Sequence, residues 1–135
     1  MGEQNPDIQR VVARAAWVKD WGYSRAVRRG PLIEVGGTTA GLPDGTVAGV
    51  GDLYEQTRHA LGVIVQAVEE LGGTAADIIR TRVFVREIDD WREAGRAHLE
   101  VFGSTLPTSS CVGGLTFLHP SILVEIEATA YLAEH

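Results

Sequence analysis

The sequence predicts a single α/β (α+β) domain, a mixed sheet of five or six strands with two helices on one face. Three stretches carry that expectation. Val124, Ile126, Ala128, Ala130 and Leu132 alternate with Leu123, Glu125, Glu127, Thr129 and Tyr131, the period-two pattern of a strand with one apolar face. Leu53, Ala60, Leu61, Ile64, Val65, Val68 and Leu71 recur instead at helical spacing. Ile79 to Arg86 alternates again, with Ile79, Thr81, Val83 and Val85 on one side and Arg80, Arg82, Phe84 and Arg86 on the other.

Composition bounds what such a domain does. At 135 residues the chain, 1–135, suits one domain with a loose N-terminus over residues 1–9. Its 44% hydrophobic and 22% charged residues are globular values, which excludes a disordered chain. No apolar run approaches the length of a membrane span, and the acidic Met-Gly-Glu-Gln-Asn-Pro-Asp start does not read as a signal peptide. The single Cys111 forms no internal disulfide, which fits a reducing cytoplasm. A net charge of −6 argues against nucleic acid as the main partner, because phosphate binding needs a concentrated basic surface.

In chain order, Arg10 to Trp17 is expected as a first strand, and Asp20-Trp21-Gly22 as a turn. Ser24 to Arg28 and Leu32 to Val35 are two further strands, separated by Arg29-Gly30-Pro31. Gly36-Gly37 ends the latter, and two readings stand: a β-bulge, or a close backbone approach by a ligand or another segment. Pro43-Asp44-Gly45 is a turn. The first helix starts at Asp52, with Glu55 as reciprocal capping partner, and closes at Gly72-Gly73; His59 borders its apolar stripe. Asp89-Asp90 is expected to cap a second helix, Trp91 to Phe102, burying Trp91, Ala94, Leu99 and Phe102. His98 on that helix lacks the companion ligands of a metal site, and His119 falls in a loop facing solvent. Two helices cover one face of such a sheet. The other face carries Glu125, Glu127 and the three arginines among Phe84, Leu123 and Tyr131, and is expected to meet other subunits.

Five motifs point to a family: Gly22-Tyr23-Ser24-Arg25-Ala26-Val27, Gly36-Gly37-Thr38, the run from Asp77 to Val85, Pro107-Thr108-Ser109-Ser110-Cys111-Val112, and Val124-Glu125-Ile126-Glu127-Ala128. From about Tyr23 to Tyr131 the chain resembles the RidA family, also called YjgF/YER057c/UK114. The resemblance implies a chorismate-mutase-like fold and a homotrimer whose inter-subunit clefts bind a small-molecule ligand, with no metal or organic cofactor. It implies hydrolysis of enamines and imines, such as 2-aminoacrylate, to keto acids and ammonia.

The resemblance also implies roles for particular residues. Glu125 matches the acid that positions the attacking water. Tyr23 matches the cleft aromatic, Gly37 the close-approach glycine, and Cys111 a strand residue whose backbone faces the ligand. Ser109 stands where the deaminating branch has an arginine gripping the substrate carboxylate. Serine offers one neutral donor in place of a bidentate guanidinium, so an arginine-lacking branch and a substrate other than 2-aminoacrylate are expected. The alternatives are a metabolite-binding trimer without chemistry and, with least support, an endoribonuclease. Glu125 and Glu127 also admit a structural reading, in which both pair with Arg80, Arg82 or Arg86.

Overall fold

The computed structural model describes residues 2–133. Its elements are β1 (Gln9–Val12), α1 (Val18–Trp21), β2 (Ser24–Arg29), β3 (Leu32–Thr38), α2 (Leu53–Glu70), β4 (Ile78–Val85), α3 (Trp91–Phe102), β5 (Thr108–Val112) and β6 (Val124–Tyr131). One six-stranded sheet runs β1-β2-β3-β6-β4-β5. All neighbours are antiparallel except β4 and β5, which are parallel and joined through α3. β3 and β4 are both antiparallel to β6, so the β3-α2-β4 connection also links two strands of one direction across it.

The last strand organises the core as its alternation requires. Val124, Ile126, Ala128, Ala130 and Leu132 are all buried, packed with Ile33 and Val35 of β3 and Val83 and Val85 of β4. The stripe of α2 closes over them with Ala60, Leu61, Ile64 and Val68. The Asp52 carboxylate accepts from Glu55 N at 3.0 Å. The reciprocal half of the expected capping box is not made, because Asp52 N donates to Gly49 O and Glu55 turns to Arg58 at 3.6 Å. At the other end Gly72 takes φ of 94° and Gly73 N donates to Val68 O, while Arg28 donates to Leu71 O at 2.6 Å, a cation at the negative end of the helix.

Four expectations are corrected. The first strand stops at Val12 rather than running to Trp17, because Trp17 is drawn into a second apolar cluster with Ala40, Val47 and Ile122. Directly after Trp17 the chain coils into α1, ended by Gly22 in the left-handed region at φ of 75°. In β4 a register irregularity between Ile78 and Arg80 puts Ile78 into the core and leaves Ile79 about half exposed. On α3, Trp91 and Leu99 are exposed, and Ala94, Ala97 and Phe102 do the burying. The reason lies in β5, whose five residues are all exposed and offer the outer face of α3 no apolar partner. Asp89 and Asp90 sit in a one-turn helix before α3, and Asp90 makes no capping bond.

Gln56 is a fully buried amide in the first turns of α2. Its Nε2 donates to Ser121 O at 2.8 Å and Gly49 O at 3.2 Å, and its Oε1 accepts from Leu123 N at 2.9 Å. The helix is thereby stitched to the segment that leads into β6. His119, expected to face solvent, is partly buried there and accepts from Ser121 N at 3.0 Å through Nδ1. No helix among the described residues is long and apolar enough to cross a membrane.

Candidate functional site

The site begins at the pair Gly36-Gly37. The register between β3 and β6 shifts there: Val35 faces Ala128, but the next pairing is Thr38 with Ile126. The bulge reading is therefore met. So is the close approach, since a Cβ on Gly37 would lie 2.9 Å from the carboxyl carbon of Glu125. Only a residue without a side chain leaves room for that carboxylate. The bulge carbonyls are tied down as well: Arg25 donates to Gly37 O at 2.8 Å and to Thr38 Oγ1 at 3.0 Å, and Thr38 donates to Gly36 O at 2.8 Å.

Around this bulge is a cavity of about 520 Å³. Gly22 turns the chain so that Tyr23, just ahead of β2, and Arg25 of β2 line it, with Glu125 from β6 and Trp21 and Leu118 from the flanking segments. The Arg25 guanidinium lies 5.9 Å from the Tyr23 ring centre, within cation–π range. Partial burial pushes the Glu125 carboxyl above its ordinary value, and the neighbouring Glu127 charge adds to this, opposed by Arg25. Tyr23, Gly37 and Glu125 are thus brought together.

The two carboxylates share a face, as the alternation requires, but differ in partners. Glu127 faces Arg82 across the ladder and pairs with it at 3.3 Å. Both side chains are well exposed, so the pair is worth about 1 kcal/mol or less. Glu125 faces Phe84 instead and has no ion-pair partner among the described residues. Arg86 turns to backbone, donating to Ile122 O at 2.9 Å, with its guanidinium 5.5 Å from the Phe117 ring centre. Within one chain, the pairing of the two acids with Arg80, Arg82 or Arg86 is made by Glu127 alone among the described residues.

Ser109 and Cys111 lie elsewhere. β5 pairs with β4 so that Ser109 stands beside Thr81 and Cys111 beside Val83. Thr81 and Val83 face the helices, and so do their neighbours. Ser109 and Cys111 line a smaller cavity of about 150 Å³ with Trp91, Ala94 and His98. Within one chain this cavity and the Glu125 cavity share no lining residue. Partial burial raises the Cys111 thiol above its ordinary value, which makes it a poor nucleophile at neutral pH.

Two residues here escape sequence reasoning: His98, which lines this second cavity, and Thr81, buried within hydrogen-bond distance of His98 and Ser109. Thr81 reads as one more core position of β4, and His98 as an orphan metal ligand. The legible signal was a hydroxyl on the buried side of an otherwise apolar strand, which needs a partner. Arg25 likewise reads only as part of a strand motif, and the glycine carbonyls that hold it come into view only with the bulge.

The comparisons agree with this architecture. The family model described as Endoribonuclease L-PSP matches residues 13–132. The uncharacterized protein SCO2049 of Streptomyces coelicolor is 38% identical over 124 residues, 92% of either chain. The crystal structure of Rv2704 from Mycobacterium tuberculosis, a member of the YjgF/YER057c/UK114 family, is similar at a TM-score of 0.84 and 42% identity, covering 93% of this chain and 99% of that one. TdcF of E. coli, solved with bound serine, is similar at a TM-score of 0.73 and 27% identity, with 82% of this chain and 88% of that one covered. With the family model spanning the fold from Ala13 to Leu132 and relatives matching nearly end to end, this chain belongs to the Endoribonuclease L-PSP family, the YjgF/YER057c/UK114 proteins.

Proposed function

We propose that this protein is a cofactor-independent hydrolase of small imines and enamines, working as a homotrimer in the cytoplasm, with Glu125 as its general base. One observation carries the reading: a carboxyl group, half-buried beside an open cavity, whose proton affinity is raised although Arg25 opposes the rise, and which has no ion-pair partner among the described residues. A base that is to exchange protons near neutral pH needs that environment. The carboxylate takes a proton from water as the oxygen adds to the C=N carbon. The proton then goes to nitrogen, and the tetrahedral adduct collapses to a carbonyl compound and ammonia. An enamine enters after shifting its proton to carbon. Ammonia release from a panel of imino compounds, generated in place from amino acids of varied side chain, tests the reaction. A panel without turnover, by protein that still binds these compounds, leaves a metabolite-binding trimer.

That second reading has its own support, since TdcF was solved with the amino acid serine bound. RNA cleavage, the activity in the family's name, is disfavoured by the net charge of −6, and a salt-dependent shift assay with single-stranded RNA checks it. The trimer is supported by the open sheet face, where Leu32 and Tyr131 stand exposed as cross-strand neighbours, and by the fully exposed edge strand β5. In such an assembly the β5 side of one subunit meets the Glu125 cavity of the next, a meeting that one chain cannot make. Sedimentation equilibrium is expected to return three times the chain mass, and a stable monomer at micromolar concentration sinks the shared cleft.

Gly37→Ala separates the site from the scaffold. The added methyl displaces the Glu125 carboxylate, which is the flexible end of a half-buried side chain. Activity is expected to fall by about tenfold or more while stability changes by about 1 kcal/mol or less. An alanine variant as active as the wild type removes Gly37 from the site.

A further inference from the structure

We infer that Trp17, Trp21 and Leu118 build a side-chain pocket onto the Glu125 cavity, and that the imines this protein handles carry an aromatic ring, or an apolar group of that bulk, on the C=N carbon. The inference rests on the proposed function and deepens it by naming the class of substrate.

The cavity wall has two unlike parts. Glu125, Arg25 and the Gly36-Gly37 bulge supply its polar groups. Trp17, Trp21, Leu118, Ile122 and the Tyr23 ring make the rest largely apolar. At about 520 Å³ the space suits a whole organic ligand, and a three-carbon imine would leave most of it to water.

The two tryptophans come together through α1. They are four residues apart across one helical turn and so share a side of it. Asp20 N donates to Trp17 O at 3.0 Å and Gly22 N to Val18 O at 2.8 Å, which fixes the turn. Trp17 is anchored against Ala40, Val47 and Ile122, and a Cβ on Gly41 would come within 3.2 Å of its ring. Trp21 has no such cover and is 81% exposed; Leu118 is 76% exposed. Leu118 also has a fixed support, since it leads into the turn in which His119 accepts from Ser121 N and Gln56 donates to Ser121 O. An uncovered indole and an uncovered isobutyl group thus stand on held backbone beside the reactive carboxyl. A ring placed there removes apolar surface from water on both partners, and the indole offers it a face or an edge to stack on. Asp20 lines the same wall, but it is exposed and screened by water, and Leu118 and Ile122 offer a cation nothing. An uncharged ring is therefore the occupant that this wall fits.

The test compares phenylacetamide with acetamide, stable neutral probes that differ by one phenyl ring. Each is titrated into ¹⁵N-labelled full chain, following the indole N–H groups of Trp17, Trp21 and Trp91. Trp91 lines other cavities and serves as the control. Phenylacetamide is expected to bind more tightly than acetamide by about tenfold or more, moving the Trp17 and Trp21 signals and leaving that of Trp91 in place. Trp21→Ala is expected to cut this preference by about threefold or more, and Trp21→Phe to keep most of it. Both change an exposed side chain, so folding is not at stake. Equal binding of the two probes, a response confined to Trp91, or an unchanged preference in Trp21→Ala overturns the inference. So does tetramethylammonium binding more tightly than phenylacetamide, which would make the rings a cage for cations. A Trp21→Ala chain that loses its assembly in sedimentation would put Trp21 in a subunit contact, and overturns it as well. In the ammonia assay the imine of phenylalanine is expected to exceed that of alanine in kcat/KM by a similar factor. Ring preference in binding without turnover of any imine counts against hydrolysis alone, and turnover without ring preference counts against the pocket alone.

Discussion

Glu125→Gln is expected to cut ammonia release by about a hundredfold or more, since the amide keeps the shape of the carboxyl but cannot take a proton from water. Its effect on stability has the opposite sign from that of a lost ion pair. Burial and the neighbouring Glu127 raise the carboxyl's proton affinity in the folded chain. The stability this group contributes is fully present below its ordinary value near 4.5 and is lost as pH rises through the raised folded value. Glutamine is never charged, so the variant escapes that loss. Thermal melts are expected to coincide at about pH 4 and to separate near neutrality, with the variant equal to or above the wild type. A neutral-pH drop of several kcal/mol would instead mean that a buried cation depends on Glu125. A variant unchanged in both activity and stability would defeat the assignment.

The largest expected effect on folding belongs to Gln56. Its buried amide satisfies two carbonyls and one N–H of the segments around Gly49, Ser121 and Leu123. Leucine fits the volume but leaves Ser121 O and Leu123 N without a partner, while Gly49 O keeps the bond from Asp52 N. At about 1.5 kcal/mol for each orphaned group, Gln56→Leu is expected to cost ~3 kcal/mol, a large share of the 5–15 kcal/mol that holds a domain together. For a chain of this size that lowers the melting temperature by roughly 10 °C. Urea denaturation should show an earlier midpoint with unchanged slope. A loss below about 1 kcal/mol would mean that water replaces the amide, so that the stitch between α2 and β6 is dispensable. Ile122 and Leu118 line the Glu125 cavity and lie on the segment this amide anchors, so turnover should also fall as that wall loosens.

The sequence discloses some parts of this molecule and hides others for physical reasons. β6 and α2 are legible because each buries one face along its whole length, so the period of the apolar residues is the period of the element. α3 is half legible: its extent shows, but which side is covered depends on β5, a strand with no apolar pattern of its own. For the same reason the facing of Ser109 and Cys111 is invisible in Thr-Ser-Ser-Cys-Val and appears only once β4 fixes the register. Gln56 interrupts the α2 stripe three residues after Leu53, a hint that a buried amide was needed, but its partners come from loops whose paths no periodicity describes. Glu125 and Gly37 are both named by the resemblance; that one must be small because the other is there is a fact of packing.

The doubled glycine has one more consequence, and it concerns length rather than chemistry. Before it, Ile33 and Val35 point to the core at odd positions; after it, Thr38 does so at an even one. The extra residue works on the strand as a one-base insertion works on a reading frame, resetting which positions face inward. Substituting either glycine leaves that count intact and damages locally. Losing either one restores the uninterrupted alternation, with Thr38 two positions after Val35 and still inward, but removes the bulge whose carbonyls Arg25 and Thr38 hold and against which the Glu125 carboxylate lies. The spacing of this segment is therefore under tighter constraint than the identity of most residues in it, and descendants of this sequence should accept changes of letter here far sooner than a change of number.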